Sequence, residues 1–392
     1  FSIPINAEER NKSLQVFRSL KIYKEHPDFV ESYFGKFPVV HLNFRIPQKM
    51  LFFSDIYKEF SVMVEQALRR HSYMRLSTNL TSIEREKFTR WCDSGEIYMT
   101  RSEINEALVN LVRFLHKHHG TPVFLIIHDF DSILTRIRFW SAGENANSII
   151  SFIPGQISKL VNLQDDLVKV VITGVSSVTG RNYLQGFKHC MFLGDHEYTR
   201  FFGFTQEEMT LLMSKNHVTI DLDLIRQWYG GYKTHKGLEL FNPASVYNFL
   251  IARNLSSYWV FESADFRARM YELLKIEVHV DNLFTLFRGD SIQFKFEENF
   301  PLIHIQKILR IVEDELQEQD SFLKMFLTYL FENGYLSWVG TSRIRLPNME
   351  VQEEIYRVLT EIIRSKENPH RLKLESLFKE FHGALKFKLP SP

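Results

Sequence analysis

Pro122-Val-Phe-Leu-Ile-Ile-His-Asp-Phe-Asp131 is an apolar run that stops abruptly at an imidazole and two carboxylates. The run Val123 to Ile127 is too short for a buried helix and suits a strand buried on both faces of a parallel sheet. Polar residues at the carboxyl end of such a strand sit at the rim of an open α/β sheet, where ligands bind. His128, Asp129 and Asp131 are therefore the first candidates for a site. A buried strand capped by a solvated turn is the plain alternative.

Working outward, residues 8–23 read as a helix, 37–44 as a strand with Val39, Val40 and Leu42 inward, and 53–70 as a helix with apolar residues near helical spacing. The stretch 72–100 is mixed. Thr100 and Glu103 form a capping box for a helix that runs to His119 and stops at Gly120. A helix over 148–163 leads to Leu167-Val-Lys-Val-Val-Ile-Thr-Gly174, another buried strand, and Cys190–Leu193 reads as one more short strand. Strands alternating with helices over residues 1–203 predict a parallel α/β sheet with helices on both faces.

After Gly203 the pattern turns helical. Thr205 and Glu208 form a second capping box, with Phe204 and Met209 placed for a hydrophobic staple. Helices are expected over 206–216, 221–228, 243–253, 264–275, 304–317, 320–333, 350–365 and 371–382. Short β pieces fall at 291–296 and 336–346. A helical region with a small hairpin over 204–367 predicts a winged-helix-like lid, and 368–392 a last helix and tail.

The 392 residues are 44% hydrophobic and 24% charged, with 48 basic and 47 acidic side chains and a net charge of +1. That balance gives no whole-chain electrostatic case for nucleic acid. The 35 phenylalanines imply a large aromatic core. Two cysteines, Cys92 and Cys190, make no disulfide framework and no metal spacing. A reducing, intracellular compartment (cytoplasmic or nuclear) is expected, with no membrane span and no signal peptide.

Several segments together resemble the AAA-ATPase-like family, whose bacterial members often carry a nuclease-like domain after the ATPase region. They are Tyr33-Phe-Gly-Lys-Phe-Pro-Val-Val40, Leu125–Asp131, Val171-Ile-Thr-Gly-Val175, Phe202–Glu208, Trp228-Tyr-Gly-Gly-Tyr232, Phe241-Asn-Pro-Ala-Ser-Val246, Ser257–Val260, Asn333–Leu336 and Leu346–Val351. The resemblance spans roughly residues 10–365 and implies a P-loop NTPase-like fold that takes ATP and magnesium. Two departures stand out. No G-x-x-x-x-G-K-S/T loop occurs in these residues, and His128 stands where the family places its magnesium-associated Asp. An imidazole suits magnesium poorly, because that ion prefers oxygen ligands. The missing loop and its central strand lead us to expect further chain upstream of Phe1. The residues after Val351 read as two helices and a tail, which leaves no room for a nuclease domain.

By that resemblance Asp129 would serve magnesium or water chemistry, Asp131 would support it, and Thr173 would sense the γ-phosphate. Arg181 lies where it could meet a phosphate. The bland readings are a helix cap near Ser132 for Asp131, a β-branched strand end for Thr173 and an exposed loop cation for Arg181. The aromatic cluster Trp228, Tyr229 and Tyr232 is assigned to packing. His116-Lys-His-His119 is read as a solvated helix end rather than a metal site. Two functions are expected from different classes: a nucleotide-dependent switch, weak or inactive as an ATPase, and a degenerate ATPase fold kept as a protein-interaction module with an unknown protein partner. A nucleic-acid-binding regulator rests on fold analogy alone.

Overall fold

A computed structural model describes residues 2–4, 6–45, 53–94, 99–132, 146–175, 187–259, 282, 284–286, 288–296, 319–364 and 375–376. The chain divides into two compact units, the first made of residues 1–175 and 182–185, the second of 176–181 and 186–392.

Three short helices open the first unit: α1 (Ala7–Ser19), α2 (Lys21–Glu25) and α3 (Pro27–Tyr33). They are followed by β1 (Val39–Asn43), α4 (Phe53–Arg70), α5 (Ser82–Ser94), α6 (Arg101–His119), β2 (Val123–His128), α7 (Ala146–Val161) and β3 (Leu167–Ile172). The strands form one parallel sheet in the order β1-β2-β3. The Thr100–Glu103 capping box is present, and α6 ends at Gly120 in the left-handed conformation. Helix α5 lies inside the stretch left mixed by periodicity. Its signal is a third capping box, in which Glu84 accepts from the Thr81 N–H and Thr81 Oγ1 accepts from the Glu84 N–H.

Alternation along the strands gives the sheet two unlike faces. Val40, Leu42, Val123, Leu125 and Ile127 are buried, and α4 packs on β1 while α6 packs on β2. Ile56, Phe60, Val64 and Leu68 of α4 and Leu108, Leu111 and Leu115 of α6 meet that face as buried residues. Each such side chain contributes about 1.5–3 kcal/mol on burial. The other face carries His41, Asn43, His128, Lys169 and Val171 exposed. Helix packing over both faces is thus shown on one of them by the described residues.

Strand β3 corrects an expectation. It reads as buried, yet none of its six residues is, and Val168 and Val171 stand 45% and 37% exposed. Its outer edge pairs with no strand among the described residues. Residues 190–193 are a second correction, a turn instead of a strand. Leu193 adopts φ +55 there and is fully buried, so its apolar character serves core packing.

The second unit contains α8 (Gln206–Lys215), α9 (Leu222–Tyr229), β4 (Tyr232–Lys233), β5 (Glu239–Leu240), α10 (Pro243–Ala252), β6 (Ile292–Gln293), α11 (Gln319–Glu332), β7 (Ser337–Val339), β8 (Arg343–Arg345) and α12 (Met349–Arg364). The Thr205–Glu208 capping box forms, and Phe204 packs against the cluster that buries Met209. Tyr229 and Phe249 centre that cluster, whereas Phe331, Trp338 and Leu336 centre a second one with Tyr232. The β6-β8-β7 antiparallel sheet lies in the second cluster. Helices expected over 264–275 and 304–317, and most of 371–382, lie outside the described residues. No helix of the described residues is long and apolar enough to cross a membrane.

One carboxylate joins the motif-bearing segments of this unit. Glu350 is fully buried and accepts from the Tyr258 and Trp259 N–H groups and from Ser245 Oγ, each at 2.7 Å. Burial pushes its carboxyl above the ordinary range, against the pull of those three donors. Asn348 donates to the Gly230 carbonyl and accepts from the Val351 N–H. Gly231, at φ +83, lies against the Pro347 carbonyl, and a Cβ there would collide with it. Motifs that are far apart in sequence are therefore parts of one buried network, which supports packing as the role of Trp228, Tyr229 and Tyr232.

Candidate functional site at the carboxyl rim of the sheet

Parallel register places His128 opposite Asn43 of β1. On its other side the Thr173 N–H donates to the Ile127 carbonyl at 2.8 Å, which extends the ladder and sets Thr173 opposite His128. Partners in register share a face of the sheet. Asn43, His128 and Thr173 therefore form a row across three strand ends, on the exposed face, and all three are exposed.

The turn after β2 begins at Asp129, a non-glycine residue at φ +53. A residue held in this sparsely populated region marks a constrained turn. Asp129 Oδ1 lies 3.1 Å from His128 Nδ1, and the Asp129 carbonyl accepts from the Ser132 N–H at 2.9 Å. The next ladder bond is shifted, running from the Phe130 N–H to the Thr173 carbonyl at 3.2 Å.

Asp131 is 1% exposed, and its Oδ2 accepts from the Val175 N–H at 2.9 Å. A Cβ at Gly174 would come within 2.6 Å of Asp131 Oδ1 and of the Phe130 ring, so only glycine allows this approach. The structure thus ties Asp131 to the end of β3. The helix it was expected to cap, beyond Ser132, falls outside the described residues, and so does Arg181.

The row presents hydrogen-bond donors. Asn43 Oδ1 is taken by the Arg45 N–H at 2.9 Å, which leaves the Asn43 amide N–H groups free to face a ligand. Thr173 adds a hydroxyl. His41, two residues back on β1 and on the same face, is held below its usual value by burial, then by Arg70 and His128. Lys169 adds an exposed cation on that face. A cleft of about 200 Å³ opens beside the end of β1, lined by Asn43, Phe44, Arg45, Ile56, Phe60 and Met63.

Magnesium does not fit this donor set. The rim offers one partly exposed carboxylate, Asp129, already turned onto an imidazole, while Asp131 is buried beneath. Among the described residues no group of three or more His, Cys, Asp or Glu side chains is placed to hold a metal ion. Asn43 and His41 were not singled out by sequence. Their signal is the inward-outward alternation of β1, which ends on polar residues level with His128.

The histidines at the end of α6 are not a solvated end, which corrects the reading of 116–119. His116 Nδ1 meets Asp166 Oδ1 at 2.8 Å, and His118 Nδ1 meets Ser77 Oγ at 2.7 Å. His119 Nε2 lies 3.0 Å from the Tyr73 hydroxyl, which in turn lies 3.2 Å from His71 Nδ1. His71 also bonds the Val39 backbone, so the chain of contacts runs from α6 to the start of β1. Burial above all, then His119 and Arg70, pushes His71 down to about 4. Burial and then His118 bring His119 to about 4, and burial pushes Tyr73 up to about 12. Near neutrality the whole chain is uncharged.

Comparison with known proteins gives one match. Residues 5–182 match the model of the AAA-ATPase-like family, described as "Predicted AAA-ATPase". No curated protein and no solved structure matches the chain.

Proposed function

From the premise that residues 5–182 belong to the AAA-ATPase-like family, we propose that the chain is a nucleotide-responsive switch with weak or no ATP turnover of its own. The observation that carries this reading is the in-register row of Asn43, His128 and Thr173 at the carboxyl rim of a parallel sheet, where open α/β folds take their ligands. Weak turnover follows from the same row, because His128 offers no oxygen to a divalent cation and Asp129 is held by the imidazole. We assign the helix–hairpin–helix α11-β7-β8-α12 as the winged-helix-like output element.

Ligand binding to the native state raises stability by about 2.7 kcal/mol when ligand exceeds its Kd a hundredfold. ATP with magnesium is accordingly expected to raise the melting temperature of the protein by several degrees in a thermal-shift assay. No movement at millimolar ATP would end the nucleotide reading. His128→Asp restores an oxygen ligand at the rim and is expected to increase phosphate release from ATP in the presence of magnesium. An unchanged rate would show that His128 is not what limits turnover.

The exposed β3 favours a second reading, a degenerate ATPase fold serving as a protein-interaction module. Val168, Val171 and Val175 are 45%, 37% and 51% exposed along one strand and its end. Edge strands with apolar side chains are ready templates for an added strand from a partner.

A further inference from the structure

We infer that the rim row binds the phosphate group of its ligand directly, through Asn43, His128 and Thr173, without a bridging magnesium ion. The inference rests on the nucleotide reading above and departs from what the family resemblance implies about the metal.

Each member of the row is a donor toward solvent. The amide oxygen of Asn43 is committed to the Arg45 N–H, so its NH₂ group faces outward as two donors. Thr173 uses its backbone N–H and carbonyl in the ladder, and its hydroxyl is left to rotate toward a ligand. His128 is half exposed, and its Nδ1 is turned onto Asp129. An imidazole so placed has Nε2 to offer to a ligand. Asp129 therefore acts as a positioning residue for His128, and its left-handed backbone brings the carboxylate back onto the preceding side chain. Lys169 on the same face, with Arg70 close to His41, places positive charge near the row.

A magnesium-dependent site would be built the other way round, with oxygen ligands at the strand end and a cation between protein and phosphate. Here the strand ends provide N–H and O–H groups, which recognise phosphate oxygens without a metal.

The test is calorimetric titration of the 392-residue chain with ATP and with inorganic pyrophosphate, in EDTA and again with excess magnesium. ATP and pyrophosphate are both expected to bind in EDTA, with little gain from magnesium. His128→Asp should weaken binding in EDTA about tenfold or more, since it replaces a ring nitrogen able to donate by a carboxylate that repels phosphate. In that variant magnesium should restore binding. Thr173→Val, nearly isosteric and exposed, should weaken binding several-fold and carries the test if His128→Asp does not fold. ATP binding that appears only with magnesium would overturn the inference and leave the nucleotide reading intact. Binding in EDTA that both variants leave unchanged would also overturn it, since the phosphate would then lie elsewhere. Pyrophosphate binding without ATP binding would keep the phosphate site but remove the nucleotide. Binding of neither ligand under any condition would end both.

Discussion

Glu350→Ala is expected to lower the stability of the second unit by about 3–5 kcal/mol, the cost of breaking a buried charged network by removing one partner. The substitution leaves the Tyr258 and Trp259 N–H groups and the Ser245 hydroxyl without an acceptor in a site closed to water. Each orphaned buried donor costs about 1–3 kcal/mol, and the missing side chain adds a cavity. Glu350→Gln keeps one carbonyl oxygen for the two backbone donors and turns its NH₂ toward Ser245 Oγ, which can accept. It should cost about 1 kcal/mol. Urea unfolding followed by tryptophan fluorescence reads the difference, because Trp259 and Trp338 lie in this unit. A loss below about 1 kcal/mol for Glu350→Ala would show that the network is not what holds the segments together.

Acid should destabilise the first unit from about pH 6.5 downward. His71 and His119 have folded values near 4, below the 6.5 of a free imidazole. A depressed folded value means that the unfolded chain takes up the proton first as pH falls. Stability contributed by the neutral rings is thus complete above about pH 6.5, is lost progressively toward pH 4, and then levels off. The shift at His71 corresponds to about 3 kcal/mol, with less from His119, for a joint loss of about 3–5 kcal/mol. Urea midpoints of the first unit, measured at intervals from neutral pH to about pH 4, should trace this decline. Tyr73→Phe removes the hydroxyl that both rings share and should lower stability at neutral pH. A midpoint that holds steady down to pH 4.5 would refute the assignment.

Much of the fold was legible because it depends on local rules. Helices α4 and α6 follow from apolar spacing and the Thr100–Glu103 box, and β1 and β2 from short apolar runs too brief for helices. Helix α5 was legible too, in Thr81 and Glu84, but its apolar face is weak and spacing alone misses it. Strand β3 has the sequence of a central strand, and only the sheet order shows it at an edge. Periodicity reports which residues avoid water, not which neighbour covers them. The site divides in the same way. His128 and Asp129 stand out because a strand ends on them, whereas Asn43 joins them only through a register between strands more than eighty residues apart. Glu350 was quoted as part of a motif, but its role depends on three segments meeting, and no spacing rule encodes that.

Strand β3 has a practical consequence for handling the protein. Val168-Lys-Val-Val-Ile172 combines high β-propensity with one charge, and Lys169 is the only gatekeeper within it. The unpaired side of such a strand can join the same strand of another molecule, and because β2 already holds its other side, that association stops at a pair. Concentrated samples should therefore shift toward a dimer in sedimentation velocity. Val171→Lys should weaken that dimer by putting a second like charge on each strand.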